Sequence, residues 1–169
     1  MDLLVSLADG QWQARFGPDC WPCAIGRGGL RHDKCEGDGA TPTGCWPVRR
    51  ILYRADRLSL PPTALPYDPL CRGDGWCDDP KDPRYNTQTT RPYAGHHERL
   101  WRRDGIYDCI VVLGYNDDPP LPGAGSAIFL HLARPGYPAT EGCVALARDH
   151  LMTFVRGAVR TSHVCIAAP

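Results

Sequence analysis

No excess of either charge is present: Lys+Arg and Asp+Glu each number 19, so the formal net charge is zero. A nucleic-acid binder needs surplus cations to neutralise phosphates, so that class is not expected. Also missing is any apolar run approaching the ~20 residues that span a bilayer. The opening MDLLVSLADGQW has neither a basic stretch nor a long apolar stretch, so no secretory signal is visible. Internal repeats, low-complexity tracts and a dividing linker are absent too. The 169 residues are therefore expected to form a single domain, residues 1–169.

What is present points to strands and turns. Gly 18 and Pro 17 are high for a helical protein and fit many short strands joined by turns. The 43% of hydrophobic residues suffices for a core. Short apolar pieces between Met1 and Gly29 predict a first strand or two. Cys45 to Tyr53 predicts another, after the loop Lys34–Gly44. Ser59 to Glu98 is dense in Pro, Gly, Asp and Tyr without a lasting period, and reads as a long ordered loop shaping a binding site. Ile110–Tyr115 and Ser126–His131 predict two strands paired in one sheet. Ala147, Leu151, Phe154, Val155 and Ala158 share one face of a helix, and Val164–Ala167 predicts a last strand. The expected fold is mainly β, with long loops and one or two helices.

The sharpest local feature is Thr140-Glu141-Gly142-Cys143-Val144-Ala145-Leu146. Read as the entry to the helix, this segment puts the helix amides and dipole beside Cys143, which favours the nucleophilic thiolate. Gly142 lets backbone N–H groups turn toward a developing oxyanion. His131, at the end of the preceding strand, is placed to act as general base. The plainer reading of both residues is structural, a buried small hydrophobe and a hydrogen-bonded core histidine.

Ser126-Ala-Ile-Phe-Leu-His131 followed by Thr140-Glu-Gly-Cys143-Val-Ala-Leu resembles the active-site segment of the L,D-transpeptidase catalytic domain, the YkuD or ErfK family. Lys34-Cys-Glu-Gly-Asp-Gly-Ala-Thr-Pro-Thr-Gly44, Gly75-Trp-Cys-Asp-Asp-Pro80 and Trp101–Asp108 leading to Gly114-Tyr-Asn116 resemble a compact branch of it. Three departures stand out. Glu141 occupies the family's usual His position, the interval from His131 to Cys143 is short, and Ala145 replaces an Arg.

The resemblance implies a β-sandwich or barrel and a cysteine acyltransferase that crosslinks peptidoglycan stem peptides containing diaminopimelate. Cys143, His131 and Gly142 would carry the catalysis. Thr140, Glu141, Arg134, Ser126, Tyr107, Asn116 and His97 are the candidate substrate contacts. A backbone carbonyl or Ser126 is expected to orient His131. The resemblance calls for no metal or cofactor, a monomer, and a periplasmic or cell-wall location. Two variants stay open: a donor bond near the first L-Ala of the stem, and hydrolysis in place of transfer.

Nine cysteines also invite other readings. Cys20-Trp21-Pro22-Cys23 has C-x-x-C spacing, yet three glycines and no helical period follow it, which argues against a thioredoxin-like site. The other cysteines offer no second C-x-x-C pair for zinc. A Cys71–Cys77 bridge is open for an exported protein, while Cys109 and Cys165 read as core. A non-catalytic wall-binding module is the remaining alternative, although binding alone would require no thiol at Cys143.

Overall fold

The computed structural model describes residues 1–167; residues 168–169, the end of the expected domain, lie outside the described residues. Fourteen strands and one helix follow one another: β1 (Leu3–Ala8), β2 (Gln11–Phe16), β3 (Asp19–Ala24), β4 (Leu30–Arg31), β5 (Thr41–Pro42), β6 (Gly44–Tyr53) and β7 (Tyr67–Pro69). The second half holds β8 (Asp74–Cys77), β9 (Gln88–Thr90), β10 (His97–Arg99), β11 (Cys109–Leu113), β12 (Phe129–Leu132), β13 (Val144–Leu146), α1 (Arg148–Gly157) and β14 (His163–Ile166). No helix among the described residues is long and apolar enough to cross a membrane.

The main sheet runs β11-β12-β13-β3-β2-β1-β14-β6-β7, and a further pairing of β6 with β11 closes it into a barrel. Closure removes the unpaired strand edges that would otherwise invite association. The ten-residue β6 makes closure feasible: its first half pairs with β14 and its second half with β11. The α1 helix packs through Leu151, Phe154 and Val155.

Alternation along the strands builds two cores. Cys109, Val111 and Leu113 of β11 and Leu130 and Leu132 of β12 face the larger one, which also holds the helix residues. Ile110 and Val112, with Phe129, face a second cluster containing Leu52, Trp76, Leu100, Tyr107 and Cys143. Both faces of β11 are thus covered, which explains its continuous apolar run. Fully burying a Phe or Ile contributes about 1.5–3 kcal/mol relative to exposure.

Three sequence expectations are revised. The first 29 residues form three strands, and Cys20-Trp-Pro-Cys23 lies within β3, so Cys20 is exposed while Cys23 is buried. The 59–98 stretch carries four short strands, three of which (β10-β8-β9) form a small sheet beside the second core. Cys71 and Cys77 are free thiols, whereas Cys165, expected in the core, is disulfide-bonded to Cys45. The strand register explains this, because β14 and β6 place Cys165 directly opposite Cys45.

Candidate active site

Cys143 does not stand at the helix start. Val144–Leu146 form β13, and α1 begins only at Arg148, so the helix dipole does not reach the thiol. A three-residue apolar run fits either element by pattern, and pairing with β12 and β3 decided it. The thiol is buried, donates to the Ala127 carbonyl at 3.2 Å and accepts from the Phe129 N–H at 3.4 Å. Burial, followed by the charge of Glu98, pushes it up to about 12. The Phe129 amide, the Lys34 charge and the Tyr107 hydroxyl oppose that rise.

The segment before the thiol is pinned to the Ile25–Arg27 strip: Thr140 N–H donates to the Ile25 carbonyl, and Arg27 N–H to the Thr140 carbonyl, both at 2.8 Å. Thr140 Oγ1 donates to the Cys143 carbonyl at 2.6 Å and accepts from Gly142 N–H at 3.1 Å. Gly142 has φ +135°, and a Cβ there would sit 2.8 Å from the Ala40 carbonyl oxygen. Only glycine fits that backbone without displacing it. With its N–H held by Thr140 Oγ1, Gly142 shapes the turn and is not itself an open oxyanion donor.

His131 lies on β12 opposite Ala145 of β13, in the parallel register that also pairs Leu130 with Val144. Two-residue alternation puts Cys143 on the same face as Ala145, one diagonal step from His131. Its Nδ1 lies 2.9 Å from the Leu132 carbonyl. A carbonyl only accepts, so Nδ1 carries the proton and Nε2 keeps its lone pair. A backbone carbonyl is therefore the orienting partner; the buried Ser126 hydroxyl makes no hydrogen bond among the described residues. Burial lowers the imidazole to about 4; the Leu132 bond raises it, while Arg102 and Arg134 lower it further. Thiol and imidazole are thus both neutral at pH 7.

Tyr107 packs edge-on against His131, with centroids 5.2 Å apart, and against Phe129. Its hydroxyl donates to Glu98 Oε1 at 2.6 Å, and burial drives its titration far above the ordinary range. Burial also raises Glu98, against the Tyr107 bond.

These groups line one cavity of about 600 Å³. Tyr107, Ser126, His131, Arg134, Thr140, Glu141 and Cys143, all singled out from sequence, border it. Glu141 lies at its rim: it is largely exposed and paired with Arg27 at 2.8 Å. Arg134 is paired with Asp104, which also holds Arg102, and the two guanidiniums hold that carboxyl far below its usual range.

Asn116 and His97 do not border the cavity, which corrects both expectations. Asn116 is spent on its own loop, donating to the Leu121 and Gly125 carbonyls and accepting from Leu121 N–H. His97 bonds the Gly95 carbonyl and packs against Tyr93; alternation along β10 turns Glu98 inward instead.

The sequence reading passed over Glu98, Asp78, Glu36 and Lys34, all of which line the cavity. Glu98 lies in a stretch without periodicity, so no pattern marked its face, whereas Asp78 had a signal in the Gly75-Trp-Cys-Asp-Asp-Pro80 motif. Lys34 had a signal in the Lys34-Cys-Glu-Gly-Asp-Gly39 motif. Its ammonium is buried on Asp38 at 2.7 Å, and its stem fills the space where a Gly125 side chain would stand. The cavity consequently has acidic groups (Glu36, Asp78, Glu98) and basic groups (Lys34, Arg102, Arg134) around one thiol.

Comparison with curated proteins returned no match. Comparison with solved structures returned none. The family profile YkuD, the L,D-transpeptidase catalytic domain, matches residues 4–166, nearly the whole length, from within β1 to the end of β14. The closed, mainly β barrel agrees with that match, and the chain belongs to the L,D-transpeptidase catalytic domain family.

Proposed function

We propose that this protein crosslinks peptidoglycan stem peptides through a thioester on Cys143. The observation that carries the reading is a buried thiol and an imidazole held through Nδ1 by the Leu132 carbonyl, both lining one cavity with charges of both signs. Diaminopimelate brings a carboxylate and an amine, which such a cavity can bind together.

His131 Nε2 removes the thiol proton as Sγ attacks a stem-peptide carbonyl. The C–N bond breaks, and the departing amine takes the proton back from the imidazolium. The Cys143 amide serves as oxyanion donor, an effect worth about 3–4 kcal/mol per donor. The amine of a second stem then attacks the thioester: a C–N bond forms, the C–S bond breaks, and the amine's proton returns by way of His131 to sulfur. Water in that role gives hydrolysis. Because Glu141 and Ala145 alter the usual site, the first L-Ala carbonyl is a second donor candidate beside diaminopimelate. The Cys45–Cys165 disulfide favours an oxidising compartment, in keeping with a periplasmic or wall-facing location.

The test is mass spectrometry of disaccharide-tetrapeptide muropeptides incubated with the wild type and with Cys143→Ala. Dimers from the wild type alone support transfer, trimmed stems alone replace it with hydrolysis, and unchanged muropeptides refute both. Fragmentation of any dimer identifies the donor bond; exclusive links between third-position residues would exclude the L-Ala variant.

A further inference from the structure

Beside the catalytic cavity lies a second one of about 610 Å³, bordered by Arg72, Arg91, Arg99, Arg102 and Arg103 together with Trp101, Asp74 and Asp104. Five guanidiniums face two carboxylates in a chain whose formal net charge is zero. Neither carboxylate is free to neutralise the rest. Asp104 is taken by Arg102 and Arg134. Asp74 is buried and accepts from Cys71 N–H at 2.7 Å and from Thr90 Oγ1 at 3.5 Å. Arg72, Arg91, Arg99 and Arg103 have no ion-pair partner among the described residues.

The platform under them is built. Buried Arg54 stacks on Trp101 with its guanidinium carbon 3.5 Å from the ring centre, while Nη1 donates to the Arg102 carbonyl at 3.0 Å. Arg57 donates to the Arg103 carbonyl at 3.4 Å. The two side chains thus fix the 102–103 backbone from behind, and Arg72 stands over Trp101 at 5.4 Å. Arginine guanidiniums suit carboxylates as two-pronged partners, and a cleft of one sign concentrates anions of the other; Arg72, Arg91, Arg99 and Arg103 are exposed and able to close on them. Arg99 and Arg102 border both cavities, so the arginine cavity adjoins the one that holds Cys143.

We infer that the arginine cavity is the acceptor-stem subsite, holding the carboxylates of the second stem peptide while its amine reaches toward the Cys143 thioester. The inference rests on the acyl-transfer reading above and adds a location and a chemistry for the acceptor. Asp78, which also pairs with His96, and Glu98, which accepts from Tyr107, bring negative charge to the neighbouring cavity where the incoming amine is held.

Calorimetric titration of full-length Cys143→Ala protein with a disaccharide-tetrapeptide muropeptide tests it, against the same muropeptide with its carboxylates converted to amides. Binding should weaken about tenfold for each carboxylate–guanidinium pair removed, whether by amidation or by adding Arg72→Gln, Arg91→Gln or Arg103→Gln. The amidated ligand needs no variant beyond Cys143→Ala, so a poorly folded arginine variant does not block the test. Equal affinity for the two muropeptides overturns the subsite. So does arginine-dependent binding of a phosphate-bearing polymer with arginine-independent binding of the muropeptide. Thioester formation on the wild type, followed by intact mass, judges the chemistry separately. Arginine-dependent binding without thioester keeps the subsite as a stem-binding site and sinks acyl transfer; thioester with arginine-independent binding does the reverse.

Discussion

The pair formed by Cys143 and His131 is expected to rest as neutral thiol and neutral imidazole, and pH is the perturbation that shows it. Burial pushes the thiol from its ordinary 9.0 up to about 12. The thiolate fraction at pH 7 is then about 10³-fold below that of an ordinary cysteine, and alkylation by iodoacetamide should be slowed about as much. Catalysis must then proceed by proton transfer to Nε2 during attack. His131→Gln should cost about 10²–10⁴-fold in acylation, roughly 3–5 kcal/mol of barrier, without speeding alkylation. The acid limb of kcat/KM should fall near 4, where His131 gains its proton, and not near the ordinary 6.5. The assay is thioester formation by intact mass from pH 3.5 to 8, paired with alkylation rates. An acid limb at 6–7 with rapid alkylation at pH 7 would mean a resting thiolate–imidazolium pair and refute the reasoning. Stability offers an independent check. A histidine with a depressed native pKa contributes fully above its unfolded value of 6.5, and the contribution disappears as pH falls toward about 4. The loss should be on the order of 3 kcal/mol in denaturant titrations, and His131→Gln should flatten it.

Gly142→Ala forces a Cβ against the Ala40 carbonyl at φ +135°, so a destabilisation of about 2 kcal/mol or more is expected, with loss of acylation; an unchanged melting temperature would contradict it. Glu98→Gln removes a negative charge that raises the Cys143 pKa, so the alkylation–pH profile should move to lower pH. A stationary profile would show that the thiol does not sense that charge. Cys45→Ser opens a link between residues 120 apart in sequence and should cost about 2–4 kcal/mol in chemical denaturation. The wild type under reducing conditions should match the variant.

Periodicity was informative where it was regular. The apolar face of Leu151, Phe154 and Val155 became α1 because a 3.6-residue repeat reports directly which face is buried, and the short, continuous, β-branched Ile110–Leu113 run became β11, buried on both faces. It failed at Val144–Leu146, too short a run to show a period, and there the helix was expected to begin too early. It failed again over residues 59–98, where the small sheet is held by pairings between distant short segments, such as Trp76 with both Glu98 and Gln88. Asn116 and His97 misled for a related reason. Their polarity is spent on neighbouring backbone carbonyls, which composition does not reveal.

By itself the sequence determined the β-rich architecture, the family, and the one segment that carries His131 and Cys143, since these follow from local pattern and motif. Tertiary structure alone decided the protonation of that pair, because burial and the Leu132 carbonyl set it. It also decided which carboxylates and arginines meet. Glu98 and Lys34 are 64 positions apart, and both reach the thiol only because barrel closure and the small sheet fold over one cavity. Electrostatics acts through distance in space, and no spacing along the chain encodes that distance.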